Sequence, residues 1–134
     1  MRALPILMAT LAVFASTQAL AVTSETLPSG VVVTHLKQGQ GASPVAASTV
    51  RVHYRGTLTN GTEFDSSYKR REPISFPLRG VIPCWTQGVQ KMKVGGKAKL
   101  TCPVDTAYGD RGVPGVIPPK SVLTFEVELL AIEH

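Results

Sequence analysis

The sequence has 134 residues, with 14 basic and 9 acidic side chains and a formal net charge of +5. That length suits one domain with one hydrophobic core. The basic residues are scattered and are not interleaved with aromatic residues, which favours solvated surfaces over nucleic-acid binding. The three histidines are dispersed, so no metal site is expected.

The first 21 residues have the pattern of a secretory signal peptide. Met1-Arg2 is a positively charged start, residues 3–15 are uncharged and mostly apolar, and Ala19-Leu20-Ala21 is an A-x-A end. A membrane anchor is the alternative, but the apolar run is shorter than the ~20 residues that a bilayer core requires. We therefore expect cleavage after Ala21, a mature chain of residues 22–134 and no membrane attachment after cleavage.

The first part of the mature chain is predicted to be mostly β-structure. Residues 49–58 are the clearest strand, because Val50, Val52 and Tyr54 alternate with polar residues. Asn60-Gly61 is a strong two-residue hairpin signal. The other predicted segments are a polar lead-in at 23–29, a β-rich run from 31, a return strand at 63–66, a charged loop at 68–72 and a short β segment at 73–78.

The second part of the chain is predicted to contain one short helix between further strands. Pro83 suits the first turn of a helix, and Trp85, Val89 and Met92 would share one face. Gly95-Gly96 is expected to end the helix. Strands at 97–102 and 122–130 enclose a Gly- and Pro-rich loop at 107–119. The fold class is therefore α+β, with a mostly antiparallel, twisted sheet of about five strands wrapped around one short helix.

The two cysteines are expected to form a disulfide. Cys102 follows Ala98 and Leu100 on the apolar face of a predicted strand, and Cys84 lies beside the inward-facing Trp85. Both sulfurs would point to one region, and an oxidising compartment permits the bond. Two buried free thiols are the alternative. The spacing does not suit a thiol oxidoreductase, whose cysteines are usually separated by two residues at the start of a helix.

Several short motifs occur in a fixed order along the mature chain. They are Val52-His53-Tyr54, Phe64-Asp65-Ser66-Ser67, Val81-Ile82-Pro83-Cys84-Trp85, Ala107-Tyr108-Gly109, Pro114-Gly115-Val116-Ile117-Pro118-Pro119 and the segment 123–130. With these motifs the chain resembles the FKBP-type peptidyl-prolyl cis/trans isomerases, and among them the bacterial periplasmic branch that includes the macrophage infectivity potentiator. The motif-bearing part covers residues 48–134 approximately.

This resemblance implies an apolar pocket between sheet and helix that isomerises X–Pro bonds during the folding of exported proteins. It implies Asp65, Tyr108 and the backbone N–H of Ile82 as the catalytic groups. By matching position, the substrate-binding residues are Tyr54, Phe64, Phe76, Val81, Ile82, Trp85, Ile117 and Phe125. It further implies proline-containing polypeptides as substrates, macrolides such as rapamycin or tacrolimus as ligands, no cofactor, and a secreted protein of the bacterial periplasm.

Other interpretations remain open from the residues alone. Trp85, Val89 and Met92 could be core residues, and Asp65 could form a local turn with Ser66. The same apolar pocket could also serve a binding module or holdase that bound peptides without useful turnover. A monomer is expected, because the lead-in at 23–29 is short and polar and offers no dimerisation helix.

Overall fold

All strands of the described chain belong to one antiparallel sheet. The computed structural model describes residues 22–134, so the predicted signal peptide at residues 1–21 lies outside the described residues. The strands are β1 (Thr23–Thr26), β2 (Val32–Lys37), β3 (Thr49–Leu58), β4 (Glu63–Ser66), β5 (Ile74–Pro77), β6 (Lys97–Cys102) and β7 (Leu123–Ile132). The α-helices are α1 (Ser67–Arg70) and α2 (Pro83–Val89), and 3-10 turns occur at Leu78–Gly80 and Val104–Thr106.

The order of strands places β3 near one edge of the sheet, where it contacts three other strands. The order is β1-β2-β6-β7-β3-β4, and β5 also pairs with β3. β4 pairs with the second half of β3 and β5 with its first half, so these two short strands share one edge of β3. The single turn of α1 lies between them in the chain. This arrangement brings β3, β4 and β5 around one end of α2.

Alternation of apolar and polar residues explains the two long strands. In β3, Val50, Val52 and Tyr54 are buried, and in β7 the same holds for Leu123 and Phe125. Successive side chains of a strand point to opposite faces, so each strand has one apolar face towards α2. The predicted faces of both strands are confirmed. Burying each large aliphatic side chain contributes about 1.5–3 kcal/mol relative to leaving it exposed.

Helix α2 packs closely on β6. Pro83 occupies its first turn, where the missing N–H has no intrahelical partner to lose. A Cβ atom at Gly88 would lie 2.8 Å from a methyl carbon of Leu100, so any larger residue here would displace the Leu100 side chain. The helix ends at Val89, earlier than the glycine pair predicted, and the buried Met92 lies in the turn that follows.

Within residues 22–134 the sheet has seven strands, where about five were predicted. The predicted polar lead-in contains β1, which is fully exposed and has no apolar alternation from which it could be recognised. β1 pairs with β2, and the side chains of Ser24 and Thr34 are hydrogen-bonded at 3.0 Å. The predicted charged loop at 68–72 contains most of α1, which Ser66 caps by accepting a hydrogen bond from the Lys69 N–H. The α+β class is confirmed.

The β3–β4 hairpin is present, but its loop has three residues. The Gly61 N–H donates to the Leu58 carbonyl at 2.9 Å, and the Leu58 N–H donates to the Thr62 carbonyl at 2.8 Å. Gly61, with φ +87°, therefore occupies the left-handed position that follows a turn over Thr59-Asn60. The predicted two-residue loop was wrong because the left-handed residue is the glycine alone, whereas a two-residue loop of this type needs positive φ at asparagine as well.

A disulfide joins the start of α2 to the end of β6. Cys84 and Cys102 are both fully buried, and their Cα atoms lie 5.5 Å apart. The predicted pairing is confirmed. Of the helices in residues 22–134, none is long and apolar enough to cross a membrane.

Loss of this disulfide is expected to destabilise the domain. The bond closes a loop with a sequence separation of 18 residues, and restricting a loop of that size in the unfolded chain contributes about 3 kcal/mol. The double variant Cys84→Ala/Cys102→Ala should lose about that much free energy of unfolding in urea. Reduction of the wild-type protein should have a similar effect, and a wild-type protein that titrates with two free thiols when denatured would contradict the bond.

Candidate active site

The concave face of the sheet and the start of α2 enclose a cavity of about 500 Å³. Its walls are mostly aromatic and aliphatic, and one carboxylate lies at its side. The lining residues are Tyr54, Phe64, Asp65, Phe76, Gly80, Val81, Ile82, Trp85, Tyr108 and Phe125. They come from β3, β4, β5, β7, α2, the first 3-10 turn and the loops after the two 3-10 turns, so the site exists only once these four strands and the helix are assembled.

Trp85 lies at the centre of an aromatic cluster. Its ring is in edge-to-face contact with Tyr54, Phe76 and Phe125, at centroid distances of 5.3, 5.4 and 5.4 Å. Phe64 extends the cluster by an edge-to-face contact with Phe125 at 5.5 Å. Pairs of this geometry contribute about 0.5–1.5 kcal/mol beyond the burial of area. The cluster therefore fixes the cavity walls before any ligand arrives.

A β-bulge explains how two consecutive residues of β4 line the same cavity. Gly56 of β3 is opposite Asp65, but the next residue of β3, Thr57, is opposite Glu63. Phe64 is thus the extra residue on β4. In a regular strand Phe64 and Asp65 would point to opposite faces, whereas a bulge redirects a side chain.

Gly56 leaves the space that two of the rings occupy. A Cβ atom at this position would lie 2.5 Å from Cζ of Phe64 and 2.9 Å from Cε1 of Phe125. Both distances are far below van der Waals contact. Glycine in the middle of β3 therefore marks a close approach of side chains over the strand, as glycine in strand interiors often does.

The carboxylate of Asp65 is held by two neighbours. The Tyr54 hydroxyl donates a hydrogen bond to its Oδ2, and Nη1 of Arg70 donates to its Oδ1 at 2.7 Å. Nη2 of Arg70 also donates to the Tyr54 hydroxyl at 3.2 Å. The three side chains form a closed triangle, and this geometry fixes the direction of both carboxylate oxygens.

These contacts change the acidity of both members of the pair. Partial burial acts to raise the pKa of Asp65, but the hydrogen bonds from Arg70 and Tyr54 outweigh it, and the pKa lies below its usual range. Burial and the hydrogen bond to Asp65 raise the pKa of Tyr54 to about 12. At neutral pH Asp65 is therefore an anion and Tyr54 is a neutral donor, which suits electrostatic positioning more than proton transfer.

A buried serine supports Tyr54 from the outer side of β3. Ser67, which is fully buried, accepts a hydrogen bond from the Tyr54 N–H at 2.7 Å. Its hydroxyl also lies 2.9 Å from Nδ1 of His53, whose ring stacks on Tyr68 with centroids 4.8 Å apart. Ser67 thus connects the start of α1 to the strand that carries Tyr54.

Two polar groups at the rim have no partner in the rest of the described chain. The Ile82 N–H precedes the first turn of α2 and donates no hydrogen bond within residues 22–134. The side chain of Tyr108, which is 42% exposed, comes from the loop after the second 3-10 turn. One N–H and one hydroxyl are therefore free to bind a ligand that enters the cavity.

Nine of the ten residues predicted for the site line this cavity, and Ile117 does not. Ile117, a buried residue of the 107–119 loop, lines a separate cleft. Gly80, Gly56 and Arg70 also shape the site and were not predicted from the sequence. The first two have no side chain that could signal a role, and Arg70 lies in a segment that was predicted as a charged loop. Across the described residues, no three His, Cys, Asp or Glu side chains are grouped as metal ligands.

The comparisons with known proteins identify the family. The model of the FKBP-type peptidyl-prolyl cis-trans isomerase family matches residues 41–130. The FKBP-type isomerase FkpA of Escherichia coli is 51% identical over 109 residues, which is 81% of this chain and 40% of that protein. FK506-binding protein 1 of Dictyostelium discoideum is 53% identical over 106 residues, or 78% of this chain and 99% of that protein.

Solved structures agree with the sequence matches. The crystal structure of FkpA from E. coli superposes with a TM-score of 0.78 at 50% identity, over 81% of this chain and 51% of that one. An isomerase structure from Pseudomonas syringae also reaches 0.78, at 39% identity, over 83% of this chain and 81% of that one. The chain therefore belongs to the FKBP-type peptidyl-prolyl cis-trans isomerase family, as its motifs predicted. It spans about 40% of the length of the E. coli relative.

Substitution Gly56→Ala is expected to disturb the aromatic walls. The new methyl group would collide with Phe64 and Phe125, and overpacking of this kind costs about 1–3 kcal/mol. Urea unfolding should show the loss of stability, and the aromatic NMR signals of both rings should shift. Thr57→Ala, on the opposite face of β3, is the matched control and should change the ring signals little. Unchanged ring signals in Gly56→Ala would contradict the assigned packing.

Substitution Arg70→Gln is expected to raise the pKa of Asp65, because it removes the strongest hydrogen bond that favours the anion. Since the folded-state pKa is depressed, the stability from Asp65 is present above the unfolded value of about 3.9. It is lost as the pH falls through the folded value. NMR titration of the Asp65 carboxyl carbon would measure the change. Arg71→Gln, the adjacent arginine, should leave that titration as in the wild type.

Proposed function

We propose that this chain is a peptidyl-prolyl cis/trans isomerase, and that the cavity above Trp85 is its active site. The observation that carries the proposal is the closed aromatic cluster with one fixed carboxylate and two free polar groups at the rim. The nine lining residues that the resemblance had implied are the proposed site residues. Membership of the family supports this function.

The chemistry requires only a suitable environment for a twisted amide. Rotation about an X–Pro bond crosses a barrier of ~18–20 kcal/mol, because the planar amide has partial double-bond character. The twisted transition state has lost this resonance and is less dipolar than the planar ground state. Walls made of Phe64, Trp85 and Phe125 replace water, which solvates the more dipolar ground state better. The cavity therefore favours the transition state without a nucleophile.

The polar groups at the rim orient the substrate around the rotating bond. The free N–H of Ile82 and the hydroxyl of Tyr108 would each donate a hydrogen bond to a carbonyl that flanks the proline. Holding both flanks leaves the X–Pro bond as the remaining free rotation. Because donors and walls are already in place, little ordering is needed when the substrate binds.

Asp65 would act as a fixed negative charge beside the rotating carbonyl. When conjugation with nitrogen is lost, the carbonyl carbon becomes more electron-poor, and an anion at its side stabilises it. The contacts with Tyr54 and Arg70 keep the carboxylate ionised and directed. An anion preorganised in this way needs no rearrangement as the charge develops.

The proposed substrates are proline-containing polypeptides, and the proposed inhibitors are macrolides such as rapamycin and tacrolimus. A cavity of about 500 Å³ with mostly apolar walls suits a cyclic, apolar ligand. The name of the Dictyostelium relative, FK506-binding protein 1, supports the macrolide part of the proposal.

The proposed setting is a secreted, monomeric domain of residues 22–134 in the bacterial periplasm. The signal-peptide pattern of residues 1–21 supports export, and the buried disulfide fits an oxidising compartment. N-terminal sequencing of the exported protein would read the cleavage point, and light scattering would measure the oligomeric state.

The test of activity is a protease-coupled assay on a short X–Pro peptide without added cofactor. Purified residues 22–134 should accelerate the exchange, and rapamycin should inhibit it. Asp65→Ala should lower kcat/KM roughly tenfold, which corresponds to ~1.4 kcal/mol of transition-state stabilisation. Tyr108→Phe, which loses one hydrogen bond, should lower it about two- to tenfold.

Tyr68→Phe is the matched control, since Tyr68 stacks on His53 outside the cavity. This variant should retain the wild-type rate, and all three variants should keep the wild-type circular dichroism spectrum. Rapamycin binding without any acceleration by the wild-type protein would refute the enzyme and favour the non-catalytic binding module. Full activity in Asp65→Ala would refute the role of that carboxylate.

A further inference from the structure

A second hollow is lined by other residues of the loop that carries Tyr108. It has a volume of about 420 Å³, and we call it the loop cleft. Its lining residues are Leu58, Arg111, Pro114, Gly115, Val116, Ile117, Pro118 and Pro119. Arg111 is the one charged residue among them. Val116 is 49% exposed, so the cleft presents an apolar surface to solvent beside a positive charge.

The wall of the loop cleft is held by backbone hydrogen bonds. The Val116 N–H donates to the Val113 carbonyl at 2.9 Å across a turn with Pro114 and Gly115 at its centre. Gly115 has φ +77°, so this is a type II turn with its preferred residues. The Ile117 N–H also donates to the Val113 carbonyl, at 2.8 Å. A ligand that fills the cleft would therefore find its shape already formed.

The loop cleft lies close to the proposed active site. Gly56 lies beneath the rings of Phe64 and Phe125, and Leu58 follows two residues later on the same face of β3. Two residues of a strand span about 7 Å. The 107–119 loop borders both hollows, since Tyr108 lines the active-site cavity and Arg111 lines the loop cleft. Within this loop the Gly112 N–H donates to the Tyr108 carbonyl at 3.2 Å. A polypeptide bound across the active site would reach the cleft within a few extended residues.

Arg111 has a charge with no partner within the described chain. It is exposed, and none of the ion pairs in residues 22–134 includes it. By contrast, Arg55 and Arg70 are paired with Glu63 and Asp65. A guanidinium beside an apolar groove matches a ligand that has an apolar side chain next to a carboxylate, which the planar fork can bind through two hydrogen bonds.

We infer that the loop cleft is an additional substrate contact, in which Arg111 selects an acidic side chain about two to four residues from the isomerised proline. This inference rests on the proposed isomerase function and deepens it. The apolar wall binds the backbone and an adjacent aliphatic side chain, and Arg111 is the specificity-determining residue. Because the pair is largely exposed, the preference is modest, about two- to fivefold, and it weakens as salt is added.

The test compares peptides that share one X–Pro core and differ only by Glu or Gln at each position from two to four residues on either side. The measured quantity is the ratio of kcat/KM for the Glu peptide to that for the Gln peptide. In the wild-type protein this ratio should be about two to five at one position or more. It should fall to about one in Arg111→Gln and below one in Arg111→Glu, as removal and reversal of the charge require.

The control is Arg51→Gln. Arg51 is an exposed arginine on the opposite face of β3, so this variant removes the same charge from the protein as a whole. It should keep the wild-type ratio. A ratio of one at every position in the wild type would overturn the inference, and so would equal losses in Arg51→Gln and Arg111→Gln, because the preference would then come from net charge alone.

The design separates this inference from the proposed function. If the wild-type protein turns over the Gln peptides but shows no preference for Glu, the function stands and the loop-cleft inference fails. If no peptide is isomerised, the proposed function fails. In that case the loop-cleft inference is tested by binding. The affinities of the Glu and Gln peptides are measured from NMR shifts of the Leu58 and Val116 amides. The ratio of the two affinities should then be about two to five in the wild type, about one in Arg111→Gln and below one in Arg111→Glu.

Discussion

The packing of Trp85 against three aromatic rings is the contact on which the site depends. Its partners come from β3, β5 and β7, so the indole joins strands that are not consecutive in the sequence. The ring stands at the start of α2, where the disulfide of Cys84 ties the helix to β6. The position of the Trp85 side chain is therefore set by the helix, by the rings of three strands and by the neighbouring disulfide. The cavity walls are consequently also part of the hydrophobic core, and a change that loosens one should loosen the other.

The polar groups of the site depend on the same framework. Asp65 lies beside the cavity because β4 has a bulge, and its carboxylate is oriented by Tyr54 of β3 and Arg70 of α1. Ser67 then holds the backbone of Tyr54 at the edge of β3, between the segments that pair with β4 and β5. None of these groups is a strong nucleophile or base at neutral pH. For a reaction that breaks no covalent bond, rigid placement of dipoles and one charge is the form of catalysis that such a site can offer.

The 107–119 loop connects the two hollows of the proposed substrate-binding surface. On one side it presents Tyr108 to the aromatic cavity, and on the other it forms the loop cleft with Leu58 and Arg111. The hydrogen bond from the Gly112 N–H to the Tyr108 carbonyl links the two parts of the loop. An isomerase has to hold the chain on both sides of the rotating bond, and a rigid loop between a proline pocket and a flanking cleft is suited to that task.

The sequence by itself determined the family, the α+β class and the strand faces of β3 and β7, whereas the bond between the two cysteines, which it predicted with free thiols as the alternative, was decided by the structure. These features follow from local periodicity and from motifs in a fixed order. It did not reveal β1, because a short exposed strand without apolar alternation resembles a polar loop until β2 provides its partner. Only the tertiary structure decided that Ile117 does not line the cavity, and that Arg70 and Gly56 help to shape it. The role of Gly56 depends on Phe125, which is distant in sequence, and the role of Arg70 depends on the β4 bulge that turns Asp65 toward the cavity, so neither has a local sequence pattern.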